Sequence, residues 1–151
     1  MKLILVALDG SKRAPLVLET AVKLARSFTA KLILLRVVRT PPEISDELRT
    51  NWVSLEQAMY QDATSDMARI VAELPPELVA GSAVELATPW DGICRKAKTE
   101  GADCIVIGSH GYSMLDRILG TNAAKVVNHA DCSVLVVRPD RAIQNPDTPA
   151  R

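Results

Sequence analysis

Aromatic residues are scarce: two Trp, two Tyr and one Phe make up 3% of the 151 residues. With no large flat plates to fill the interior, Leu, Val, Ile and Ala must interdigitate, and aliphatic cores of this kind suit buried parallel strands. Net charge is absent as well, since 18 Lys plus Arg balance 18 Asp plus Glu. No global field attracts a polyanion such as DNA or an acidic membrane, so neither nucleic acid nor membrane is expected as a partner, and any anion must be held by local groups. Histidine is limited to His110 and His129, and Cys94, Cys104 and Cys132 are odd in number with no CxxC spacing. That excludes a recognisable metal site and leaves the thiols to act as small buried hydrophobes. Neither a signal peptide nor an apolar run long enough to span a bilayer is visible, and a cytoplasmic location is expected. The Walker A lysine pattern, the GxGxxG fingerprint and the GxSxG elbow are missing too.

What is present is an alternation of apolar runs and helical periods. A chain of this length fits one domain, which can bury roughly two-thirds of the surface its unfolded form exposes. Lys2 to Leu8 is a continuous apolar run that stops at Asp9-Gly10-Ser11, the pattern of a strand covered on both faces. Leu16, Val17, Ala21, Leu24, Ala25 and Phe28 then follow helical spacing, with Ser11 as the expected N-cap and Pro15 tolerated in the first turn. Lys31 to Val38 is a second two-sided strand. Between Pro41-Pro42 and Pro75-Pro76, the spacing of Leu48, Trp52, Leu55, Met59, Met67, Ile70 and Leu74 predicts a helix from about Ile44 to Glu73.

Ser82 to Leu86 reads as a short strand, and Thr88-Pro89-Trp90-Asp91 opens a third helix that closes near Gly101. Cys104 to Ile107 is a fully apolar strand running into Gly108-Ser109-His110-Gly111. Gly120-Thr121 opens a last helix with Val126, Val127 and Ala130 inward, and Ser133 to Val137 is the last strand. The domain is expected to span residues 1–139, followed by a disordered tail over 140–151 that is polar and rich in proline. The order β-α-β-α-β-α-β-α-β with right-handed crossovers implies an α/β fold, a doubly wound five-stranded parallel sheet with helices on both faces. Ligands of such sheets bind beyond the C-terminal ends of the strands, which directs attention to Asp9, Val37 and Gly108.

Gly108, Gly111 and Gly120-Thr121 enclose a segment between a strand end and a helix start, where missing Cβ atoms and unpaired N–H groups let phosphates approach. Asp9 either caps the strand-to-helix turn or bonds a ligand, directly or by holding Mg²⁺ through water. Ser11 and Ser109 show no triad order and read as capping or phosphate-bonding groups. Arg117 and Lys125 are the cations near the glycine segment. Trp52, Trp90, Met59 and Met67 read as core or partner packing. The apolar Val134–Val137 strand, last in the sheet, needs a cover or a partner.

Leu8-Asp9-Gly10-Ser11, Leu35-Arg36-Val37, Gly108-Ser109-His110-Gly111 through Gly120-Thr121, and the closing Val134-Leu135-Val136-Val137-Arg138-Pro139 together resemble the universal stress protein family. The resemblance runs from Lys2 to Pro139. It implies the sheet order 3-2-1-4-5 of the adenine nucleotide alpha-hydrolase-like fold, homodimers paired through the last strand, and binding of ATP or another adenine nucleotide. Carried over by position, Asp9 and Val37 meet the adenosine with Ala7 beside them and Ile107 beneath. Gly108, His110, Gly111, Gly120 and Thr121 line the ribose and phosphates, and Asn122 follows at the helix start. One departure stands out: ATP-binding members usually place nine residues between the second and third glycines, and Tyr112 to Leu119 here are eight. The resemblance therefore implies a nucleotide-binding regulator of the stress response. A dimeric scaffold that binds no ATP and a slow ATP hydrolase remain as alternatives, and no residue is assigned a catalytic role.

Overall fold

The computed structural model describes residues 1–39, 46–109 and 120–138, and for 46–51 the helical backbone alone. In chain order the elements are β1 (Leu3–Ala7), α1 (Ala14–Phe28), β2 (Lys31–Arg39), α2 (Asp46–Ala72), β3 (Val79–Ala87), α3 (Pro89–Glu100), β4 (Cys104–Gly108), α4 (Thr121–His129) and β5 (Ser133–Val137). The strands form one parallel sheet in the order β3-β2-β1-β4-β5, the order implied by the resemblance.

Alternation along β1 explains how a continuous apolar run serves two faces. Ile4 and Val6 are fully buried on the face covered by α1 and α2, where they meet Val17, Ala21 and Met67. Leu5 and Ala7 point to the other face, against Ile93 and Ala97 of α3 and Ala123 and Val126 of α4. The same alternation divides Leu32 and Leu34 from Ile33 and Leu35 on β2. Small alanines at the helix contacts let α1 and α3 approach the strands closely, which compensates for the lack of aromatic bulk.

Several elements depart from the sequence expectations in instructive ways. Helix α1 starts at Ala14 with Arg13 at the cap position, so Ser11 does not cap it; Ser11 instead organises the preceding turn, its Oγ accepting the Arg13 N–H at 3.2 Å and its carbonyl the Ala14 N–H at 3.0 Å. Phe28 ends the helix largely exposed. Strand β3 runs nine residues rather than five, because its pairing with β2 continues to both ends. On α2, Leu55 and Met59 are exposed although they share the spacing of buried Met67, since periodicity identifies a helical face but not what covers it. On α4, Val126 is fully buried and Val127 is 45% exposed: one residue along the helix turns the side chain by about 100°. Cys104 is buried while Cys94 and Cys132 are half-buried, and burial pushes all three thiols above their ordinary range. The expected tail over 140–151 lies outside the described residues.

Candidate functional site

The strand order reverses around β1, which is flanked by β2 and β4. The connection from β1 leads to α1 on one face, and the connection from β4 leads to α4 on the other. Two chains diverging from adjacent strand ends leave a crevice between them, the general position of ligand sites in such sheets. Register sets its floor: Ala7 lies opposite Leu35 on one side and Ile107 on the other.

An open cleft occupies this position. Its lining includes six of the ten expected site residues, Ala7, Asp9, Val37, Ile107, Gly108 and Asn122. Gly120 and Thr121 stand beside Asn122 at the start of α4 but are not among the lining residues. His110 and Gly111 lie outside the described residues, as do Arg117 and the Tyr112 to Leu119 spacing. Sequence reasoning missed Leu8, Val17, Leu35, Pro89, Ile93 and Ala123, which are the other described lining residues. Of these only Pro89 carried a visible signal, as the proline of the α3 first turn.

Asp9 is the only charged residue among the described lining residues. Its Oδ1 accepts the Ser11 N–H at 2.9 Å, so the carboxylate shapes the turn from which it projects. Gly10 sits at φ +74°, and a Cβ there would stand 2.5 Å from Nη1 of Arg36. Only glycine fits both the backbone conformation and the space. The Arg36 side chain, 11% exposed, donates to Asp66 of α2 at 2.8 Å, and Asp66 also accepts from Arg69. Hydrogen bonds from Arg36 first, then Arg69, hold the Asp66 carboxyl below its ordinary 3.8. The Asp9 turn therefore rests on a cation that α2 holds in place.

The opposite wall is built from α3 and α4. Gly92 of α3 lets the helix lie against the sheet, since a Cβ there would meet Ala87 Cβ and Val37 Cγ2, each at 3.2 Å. Where the chain enters α4, the Gly120 N–H donates to the Ser109 carbonyl at 3.3 Å and the Ser109 N–H to the Val137 carbonyl at 2.9 Å. The α4 N-terminus is thus tied to the end of β4, and it brings Asn122 and Ala123 to the cleft. Its helix dipole favours negative charge at that end. Chemically, the described residues of the cleft offer an apolar floor, one carboxylate, one carboxamide and a helix start. That combination fits a flat, mainly apolar ligand with a polar end. Among the described residues there is no group of three or more His, Cys, Asp or Glu that could hold a metal ion, and no helix long and apolar enough to cross a membrane.

The model of the universal stress protein family matches residues 1–138. Among curated proteins, the universal stress protein YxiE of Bacillus subtilis is 31% identical over 144 residues, covering 89% of this chain and 97% of that protein. Among solved structures, UspA from Lactobacillus plantarum superposes with a TM-score of 0.74 at 29% identity, covering 91% of this chain and 97% of that one. A universal stress protein family protein from Arabidopsis thaliana, solved with AMP bound, shares the fold at a TM-score of 0.63 and 21% identity, with 97% of each chain covered. The universal stress protein from Archaeoglobus fulgidus in complex with dAMP does so at 0.61 and 22%, covering 90% of this chain and 97% of that one.

Proposed function

Because the chain belongs to the universal stress protein family, we propose that its C-terminal cleft holds an adenine nucleotide, ATP in the first instance, and that the protein serves as a nucleotide-binding regulator in the cytoplasmic stress response. The observation that carries this reading is the convergence of Ala7, Asp9, Val37, Ile107, Gly108 and Asn122, drawn from three strand ends and one helix start, on a single cleft. Val37, Ala7 and Ile107 offer the apolar surface that a purine ring requires, and Asp9 offers an acceptor for a ribose hydroxyl or the adenine amino group. The phosphates then lie toward Gly108 and the α4 N-terminus, with His110, Gly111, Gly120 and Thr121 around them. The Arabidopsis thaliana relative, solved with AMP, and the Archaeoglobus fulgidus relative, solved with dAMP, support this choice of base. Asp9 is the one carboxylate among the described lining residues, which suits Mg²⁺ carried in on the phosphates and steadied through water.

The domain in this reading spans residues 1–139. Strand β5 is one edge of the sheet, and Leu135 on it is 37% exposed. A second copy pairing antiparallel along Val134–Val137 gives that edge a partner and makes the protein a homodimer. Three free thiols agree with a reducing cytoplasm.

The test is to identify by mass what the purified protein carries and to titrate ATP into the emptied protein by calorimetry. The expected result is a nucleotide in the released fraction and a titration that Asp9→Ala weakens. Neither released nucleotide nor heat up to millimolar ATP leaves the scaffold reading in its place, with the eight-residue glycine spacing as its explanation.

A further inference from the structure

Among its described lining residues the cleft has no cation to meet the phosphates of the ligand assigned to it. Asp9, the one charged group among its described lining residues, is an anion and does not attract phosphate. Beyond any Mg²⁺ carried in with the nucleotide, its phosphates gain from a cationic side chain at the rim. Arg36 stands near, but its guanidinium is packed under Gly10 and committed to Asp66.

Lys125 is differently placed. It is exposed, and it follows Asn122 by three residues on α4, so the two side chains leave the same side of the helix. Asn122 lines the cleft. The Lys125 Nζ lies 5.7 Å from the centre of the Trp90 ring, within cation–π range. Trp90 in turn follows Pro89, which lines the cleft from the α3 side. The indole is steadied from a second direction by His129, with ring centroids 4.8 Å apart and planes inclined by 44°. Nδ1 of His129 is in turn within hydrogen-bond distance, 2.8 Å, of the Lys125 carbonyl oxygen. Among the described residues Lys125 makes no ion pair, so its charge rests on an aromatic face alone.

We infer that Lys125 is the residue that reads the phosphates of the bound nucleotide, an inference that rests on the nucleotide reading above. In the empty cleft the ammonium lies over Trp90. With a nucleotide bound, it leaves the indole and makes a charge-assisted hydrogen bond to a phosphate oxygen, a stronger contact than an exposed cation–π pair. The flexible four-carbon stem of lysine permits the exchange without moving α4. Lys125 thereby sets how much the phosphates add to the affinity for the adenosine part.

The experiment compares calorimetric titrations of adenosine and of ATP into the full chain, for the wild type, Lys125→Gln and Lys125→Arg. The expected result is that Lys125→Gln lowers the ratio of ATP to adenosine affinity about tenfold, which corresponds to about 1.4 kcal/mol, and that Lys125→Arg retains most of it. A wild type that binds both ligands with the same ratio as Lys125→Gln overturns the inference and leaves the nucleotide reading standing. A wild type that binds neither adenosine nor ATP overturns the nucleotide reading and the inference with it.

Discussion

The two walls of the cleft are secured by opposite means. At the end of β1, the Asp9 turn sits on the Arg36 guanidinium, which is nearly buried and held by Asp66 from α2. At the start of α4, Trp90, Lys125 and His129 hold one another at the surface. A buried ion pair loses much when one partner goes, because the remaining charge has no water to turn to. An exposed cation on an aromatic ring loses little and can change partners. The first wall is therefore suited to fixing the shape of the site, and the second to responding to what enters it.

The comparison breaks most visibly at Asp66. Asp66→Ala leaves the Arg36 guanidinium without its carboxylate, and about 2 kcal/mol of stability is expected to be lost in urea unfolding, tempered by the one-third exposure of Asp66. The effect has a pH signature. Arg36 and Arg69 depress the folded-state value of Asp66 below 3.8, so its contribution is complete above that ordinary value and disappears as pH falls through the lower, folded-state one. The stability gap between wild type and Asp66→Ala should be flat from about pH 5 to 8 and should close in stronger acid. A gap that instead widened in acid would mean that the pair does not brace the turn.

A smaller effect is expected at Gly92, where stability and binding should separate. Alanine there gains up to about 1 kcal/mol of helix propensity, but the new Cβ presses on Val37 at 3.2 Å. The melting temperature should change little, while adenosine affinity in calorimetry falls severalfold because Val37 is displaced from the cleft floor. Unchanged affinity would remove Val37 from the binding surface. The smallest effect belongs to the exposed wall: Lys125→Gln is expected to keep folding stability within about 0.5 kcal/mol of the wild type.

The central strands were legible because burial on both faces leaves an unbroken apolar run, as in Leu3–Ala7 and Cys104–Gly108. The sequence pattern of the edge strand β3 is shorter than the strand because Gly81 interrupts it, although the pairing with β2 does not stop there. In the site, Asp9 and Gly108 could be found as the polar or small residues that end apolar strands. Val17, Ile93 and Ala123 could not, since an apolar residue has the same helical spacing whether it fills a core or lines a cleft. The Arg36–Asp66 pair was equally hidden: thirty residues separate its members, and no local period connects a strand to the helix that crosses it.

The most direct test of the nucleotide cleft is to follow the backbone amide resonances of the isotopically labelled chain while ATP is added. The account predicts that the amides of Ala7, Asp9, Val37, Ile107, Gly108 and Asn122 shift together along one saturating curve, with those at the far ends of the strands, such as Leu3 and Ser133, unmoved. Saturable shifts that cluster on another surface, or none at millimolar ATP, would contradict it.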